Sequence, residues 1–273
     1  MQSGNKHNAY LIDVSRYQNT ITWSRVAQAK IHGTFPVQGA LIRASQGMTV
    51  DPRFQANITG ATTHHLYRGA YHSVVPQGTS ASAIQSSAAD QAHLFFTTVN
   101  QQKGWEGQCL NPGVDIEVNP AGLSPAQYLQ WLQHFLSTLE GLLGSSWPLK
   151  PMLYLNQNKW QSLLGKTQTL TSYPLWVAQW GVNQPQSFGG WTQWQCWQWS
   201  SPGSLSGISG NVDYDEWATS HLPQSVAASS SQTPQQPASG STSSGANQTG
   251  KSLLDAWETA TQDLVTWVRD QLL

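Results

Sequence analysis

Eight short apolar runs recur along the first 222 residues, and longer amphipathic stretches lie between several of them. The runs are YLIDVS, GALIRAS, RGAYHSV, NPGVDIEV, KPMLYLN, PLWVAQW, CWQWSS and GNVDYD. Their length and spacing predict strands. Among the intervening stretches, SPAQYLQWLQHFLSTLEGLLG is the clearest helix, with Ser124 placed to cap it, Pro125 at its first position, and Leu129, Leu132, Phe135, Leu136, Leu139 and Leu143 at helical spacing. Strands alternating with helices imply an α/β fold on a parallel sheet, either closed or doubly wound.

In both architectures, chemistry gathers at the carboxyl ends of the strands. The acids follow that rule. Of the ten Asp and Glu residues before position 223, six stand at three strand ends: Asp13, the pair Asp115 and Glu117, and the group Asp213, Asp215 and Glu216. Alternation along a strand puts Asp115 and Glu117 on one face, with Ile116 and the flanking valines on the other. Two carboxyls that close repel when both are ionised, and burial penalises charge further, so one should hold its proton near neutral pH. A carboxylic acid beside a carboxylate is what glycosidic cleavage uses. Alone, a D-x-E is more often a loop cap or an ion-pair partner. A divalent cation on Asp13, Asp115, Glu117 and Asp213 is a further alternative, since hard cations take oxygen ligands; with no His clustered there, zinc is disfavoured. No metal and no cofactor is expected.

Only 10% of residues are charged and the formal net charge is -1, so the chain has no basic field for nucleic acid. Fourteen Trp and eight Tyr among abundant Ser, Thr, Asn and Gln suit a neutral, hydroxyl-rich ligand such as a sugar, although many of those rings belong to the core. Cys109 and Cys196 rule out a disulfide framework; they can pair once or remain buried thiols. No nucleophile elbow, phosphate loop or dinucleotide fingerprint is present. No run is long enough to span a membrane, and the first residues lack the apolar core of a signal peptide.

Three segments are expected: 1–222 as the α/β domain, 223–250 as a flexible linker rich in Ser, Gly, Pro and Gln, and 251–273 as an amphipathic helix carrying Leu253, Leu254, Trp257, Leu264, Trp267 and Val268. That helix is short enough to order on contact, with itself or with another protein.

Taken in order, IDVSRYQ, ALIRASQGMTVDPRFQANITGA, GAYHS, VDIE, YLN, LWVAQWG, WQWSS and GNVDYD resemble the glycoside hydrolase family 25 lysozymes, the Chalaropsis-type N-acetylmuramidases, over about residues 10 to 220. The resemblance implies an irregular, flattened (β/α) barrel, TIM-barrel-like with fewer helices than strands. It also implies hydrolysis of the β-1,4 bond between N-acetylmuramic acid and N-acetylglucosamine in bacterial peptidoglycan, so that the protein acts on the cell wall, outside the cell or after release by lysis. By analogy, Glu117 is the general acid. Asp115 orients the substrate's 2-acetamido group or stabilises charge at the anomeric carbon, and Asp13 and Asp213 position the substrate and tune Glu117. Tyr71, Tyr154, Trp176 and Gln179 match the sugar groove, with Arg43 and His72 as weaker matches that brace an acid. Asp215 and Glu216 read as structural. The second chemical step stays open between an oxazolinium ion, a covalent ester and direct water attack. One departure is Gln46, where family members often carry Glu. Two other readings remain: a catalytically silent glycan-binding module, and a structural particle protein that carries the domain on its linker.

Overall fold

The computed structural model describes residues 1–145 and 147–219; the expected linker and C-terminal helix lie outside the described residues. The strands are β1 (Ala9–Val14), β2 (Lys30–Ile31), β3 (Phe35–Gln46), β4 (Thr49–Val50), β5 (Tyr67–Ser73), β6 (Gly113–Asp115), β7 (Met152–Leu155), β8 (Leu175–Ala178), β9 (Cys196–Gly203) and β10 (Val212–Trp217). The helices are α1 (Trp23–Val26), α2 (Phe54–Thr63), α3 (Ala81–Gln101), α4 (Pro125–Leu143) and α5 (Gln157–Leu164). Eight strands pair in the order β1, β3, β5, β6, β7, β8, β9, β10, and β10 pairs back onto β1 to close a barrel. The short β2 and β4 add to β3.

Closure settles the choice that alternation left open. One strand breaks the parallel rule: β10 runs antiparallel to both β9 and β1. Its connection from β9, residues 204–211, is shorter than the dozen or so residues a parallel crossover needs. The reversal matters for the site. Asp213 stands at the start of β10 opposite Asp13 near the end of β1, so both lie at the barrel end where the parallel strands finish.

α4 begins as its sequence dictates. Ser124 accepts from the Gln127 backbone while Gln127 Oε1 accepts from the Ser124 backbone at 3.0 Å, and Pro125 occupies the first turn, where its missing N–H costs nothing. Its stripe buries Tyr128, Trp131, Leu132, Phe135, Leu136 and Leu139 against the barrel and α3, each stabilising by roughly 1.5–3 kcal/mol.

Inside the barrel, a separate apolar plug of Leu11, Leu41, Tyr71, Met152, Trp176 and Trp217 fills the lower part. Gly113 makes room for it: a Cβ there would lie 2.6 Å from the Cβ of Tyr71. Above this plug the inward positions of β1, β6, β9 and β10 turn polar, with Asp13, Asp115, Gln198 and Asp213. The barrel is therefore filled below and polar above, and among the described residues that polar end lines a pocket.

Candidate active site

Chain alternation delivers Asp115 to the mouth but not Glu117. β6 ends at Asp115, and the next residue still follows the sheet through Ile116 N–H donating to Tyr154 O at 3.0 Å. Glu117 lies past the strand and reaches solvent. Ile116 and Val114 do bury on the outer face, as alternation predicts, but Val118 is 41% exposed because the chain has by then left the sheet.

Asp13, Arg43, Tyr71, Asp115, Glu117, Tyr154, Trp176 and Asp213 all line one pocket, together with Ser15, Tyr17, Gln18 and Gln198. Gln179 lies in an adjoining pocket with Asn156, Trp180 and Phe188, and the two share Glu117 and Tyr154. Glu117 thus stands on the saddle of a continuous groove.

Gln198, which is not among the residues the sequence points to, is the node of the pocket. Its Nε2 donates to Asp13 Oδ2 at 2.7 Å and to Asp213 Oδ2 at 3.5 Å. Its Oε1 accepts from the Tyr154 hydroxyl at 3.0 Å and from Trp180 Nε1 at 3.2 Å. One amide therefore ties two acids to two rings. The available signal was its place two residues after Cys196 on β9, where alternation turns both inward. Gln198→Leu would strip Asp13, Tyr154 and Trp180 of a partner. The expected cost is roughly 1–3 kcal/mol, read as a lower urea midpoint at unchanged slope.

Every acid of the cluster holds its proton more tightly than usual. Asp13 is raised first by burial, then by Asp215 and Asp213, against the Gln198 donation. Asp115 is raised by burial and by Glu117, opposed by Ser73, whose Oγ donates to Asp115 Oδ2 at 2.7 Å. For Glu117, burial of the carboxyl raises the pKa, Lys159 lowers it and Asp213 raises it. Lys159 itself donates to the Glu117 backbone carbonyl at 2.6 Å. Asp213 is raised by burial. Asp215, beneath them, is pushed up to about 7 by burial, although Trp176 Nε1 donates to its Oδ1 at 2.7 Å. Such a cluster can supply a proton and retain a negative charge at the same pH.

The rings divide by depth. Trp176 is 2% exposed and packs edge-on to Tyr154 at 4.6 Å and to Tyr71 at 5.6 Å, forming the floor. Trp180, 53% exposed, is the ring available for stacking in the adjoining pocket. His72 braces no acid. It is buried outside the barrel, with Nδ1 2.8 Å from Ser45 Oγ and Nε2 3.1 Å from Gln91 Oε1, stacked on Phe135, and burial lowers its pKa to about 4. Arg43 does pair with an acid, Asp51, through Nε at 2.9 Å. Both cysteines are free and buried. Burial pushes Cys109 up to about 12, which removes it as a nucleophile. Among the described residues no group of three or more His, Cys, Asp or Glu side chains is arranged to hold a metal ion, and no helix is long and apolar enough to cross a membrane.

Residues 12–208 match the family described as Glycosyl hydrolases family 25. Lysozyme M1 of Streptomyces globisporus is 32% identical over 215 residues, which cover 76% of this chain and 66% of that protein. The N,O-diacetylmuramidase of Arthroderma benhamiae is 29% identical over 195 residues, covering 68% of this chain and 74% of that one. Among solved structures, the bacterial lysozyme from Streptomyces coelicolor superposes with a TM-score of 0.65 at 29% identity, covering 80% of this chain and 96% of that one.

Proposed function

Because the chain belongs to glycosyl hydrolases family 25, we propose that it is a peptidoglycan muramidase, cleaving the β-1,4 bond between N-acetylmuramic acid and N-acetylglucosamine. The observation that carries this reading is Glu117 on the saddle of the groove, with Asp13, Asp115 and Asp213 in the same pocket. The names of similar proteins, a lysozyme and an N,O-diacetylmuramidase, agree with it.

Glu117 in its acid form, which the raised pKa favours, donates to the glycosidic oxygen, which leaves as the O4 hydroxyl of N-acetylglucosamine. Positive charge grows at the anomeric carbon of the muramyl residue. Asp115, held by Ser73 under that position, stabilises this charge or orients the 2-acetamido group that shares it. Water then supplies the new anomeric hydroxyl and returns a proton to Glu117. Gln198 ties Asp13 to Asp213, and the Asp213 charge helps to raise the Glu117 pKa. Tyr71, Tyr154, Trp176, Gln179 and Arg43 shape the groove. The protein would act wherever it meets the wall, by export or after lysis.

Mass spectrometry of borohydride-reduced fragments from purified peptidoglycan tests this. Fragments ending in reduced N-acetylmuramic acid are expected. Ends in reduced N-acetylglucosamine would overturn the bond assignment, and no fragments from several wall types would overturn hydrolysis itself.

A further inference from the structure

Arg43 lines two cavities, of which the groove is one. On its far side lies a space of about 270 Å3 bounded by Arg16, Arg43, Gln46, Thr49, Val50 and Asp51. Asp51 is occupied within the wall. Its Oδ2 accepts from Arg43 Nε at 2.9 Å and from the Arg16 backbone at 3.0 Å, and its Oδ1 accepts from the Arg53 backbone at 2.9 Å. The donors around it are less engaged. Among the described residues, the Gln46 side-chain amide and the Thr49 hydroxyl make no hydrogen bond, and the Arg43 and Arg16 guanidiniums lie over the Tyr17 ring, 5.1 and 5.2 Å from its centroid, with the exposed Arg16 also 3.4 Å from the Tyr17 hydroxyl.

Two guanidiniums against one carboxylate leave the cavity with a formal excess of positive charge. In a chain with 13 Lys and Arg in 273 residues, this pairing beside the catalytic pocket is a concentrated field. Gln46 preserves it, because a Glu at that position would cancel the excess. Planar guanidinium forks match a carboxylate. In a peptidoglycan strand the N-acetylglucosamine residue is neutral, whereas the muramyl residue bears a 3-O-lactyl arm ending in a carboxyl, free or extended by a peptide with carboxylates of its own.

We propose that this cavity is an anion subsite that takes a carboxylate carried on the lactyl arm of a muramyl residue, either the arm's own or that of the peptide built on it. The subsite rests on the muramidase reading and adds a specificity determinant to it: strands with the arm bind better than plain N-acetylglucosamine strands.

The test is calorimetric titration of the Glu117→Gln protein, in which binding is read without turnover. Three soluble ligands of equal length are used: strands with peptides intact, strands with peptides removed to free the lactyl carboxylates, and N-acetylglucosamine oligomers. Arg16→Gln and Gln46→Glu, each added separately, should weaken binding of a carboxylate-bearing strand by about tenfold, the scale of one charge-assisted contact, with no change for the neutral oligomer. Weakening confined to the peptide-free strand assigns the site to the lactyl carboxylate; confined to the peptide-bearing strand, it assigns it to the peptide. Equal affinities for all three ligands, or the same loss on the neutral oligomer, would overturn the subsite while leaving the muramidase reading intact. If none of the three binds, the subsite falls, and the release of reduced fragments from the wall decides the muramidase reading. Thermal midpoints of the variants, expected to match the parent, separate a binding loss from misfolding.

Discussion

Glu117→Gln should lower the rate of strand cleavage on the order of 10^3-fold while leaving the barrel intact, because Gln keeps the size and hydrogen-bonding shape of Glu and lacks only the acidic proton. Glu117 is off the strand and exposed, so the substitution disturbs no packed neighbour. Its one fixed contact, Lys159 donating to the backbone carbonyl, survives the change. Substrate binding should persist, so the loss falls on kcat rather than KM. The wild-type pH profile carries the same information. The acid form does the work, so activity should decline as pH rises through the Glu117 pKa, which burial and Asp213 place above the usual carboxylate range. Lys159→Met would remove the group that lowers that pKa and should move the alkaline limb to higher pH. Release of reducing ends across a pH series measures both. A Gln variant that cleaves at more than a tenth of the parent rate would remove Glu117 as the acid.

Much of this could be read before any coordinates. The eight strands announce themselves as apolar runs because a barrel strand buries both faces, and α4 does so through its cap and stripe. α3 is longer than α4 yet less legible in the sequence. Its buried side mixes Ile84, Ala88, Ala92, Phe95 and Val99 with the polar Gln91 and Thr98, and its packing partner is α4 rather than anything local. The direction of β10 and the closure of the barrel are non-local as well; they depend on β10 finding β1, almost the length of the domain away.

The acids stood out because the rest of the chain is so poor in charge. Gln198 did not, since an amide between two tryptophans in a chain full of Gln carries no signal until register turns it inward. The same holds for the cavity beside Arg43, which draws on the turn after β1, the β3–β4 hairpin and the residue that follows β4. Departures from local expectation collect around the groove, as they do where function rather than folding sets the residue.

Asp115→Asn should move activity and stability in opposite directions. In the proposed mechanism the carboxylate faces positive charge at the anomeric carbon, and removing a preorganised group of that kind costs roughly 10^2–10^3 in kcat. The fold, however, gains. Asp115 is buried, its Oδ1 lacks a hydrogen-bond partner among the described residues, and burial and Glu117 raise its pKa in the folded state. Below the ordinary carboxylate range both folded and unfolded chains are protonated there, and the acid costs nothing. As pH rises past about 4 the unfolded chain ionises freely while the folded one resists, so stability is lost until pH passes the raised folded value. Asn carries no such penalty, and its Oδ1 can still accept from Ser73. The variant should therefore match the parent near pH 3 and exceed it by about 1–2 kcal/mol near pH 7, the usual scale for relieving a strained functional site. Thermal melts across that range read the difference directly. A variant less stable than the parent at every pH would mean that Asp115 holds the barrel together, whereas a gap that opens with rising pH would mean that the fold tolerates this charge for the sake of the reaction.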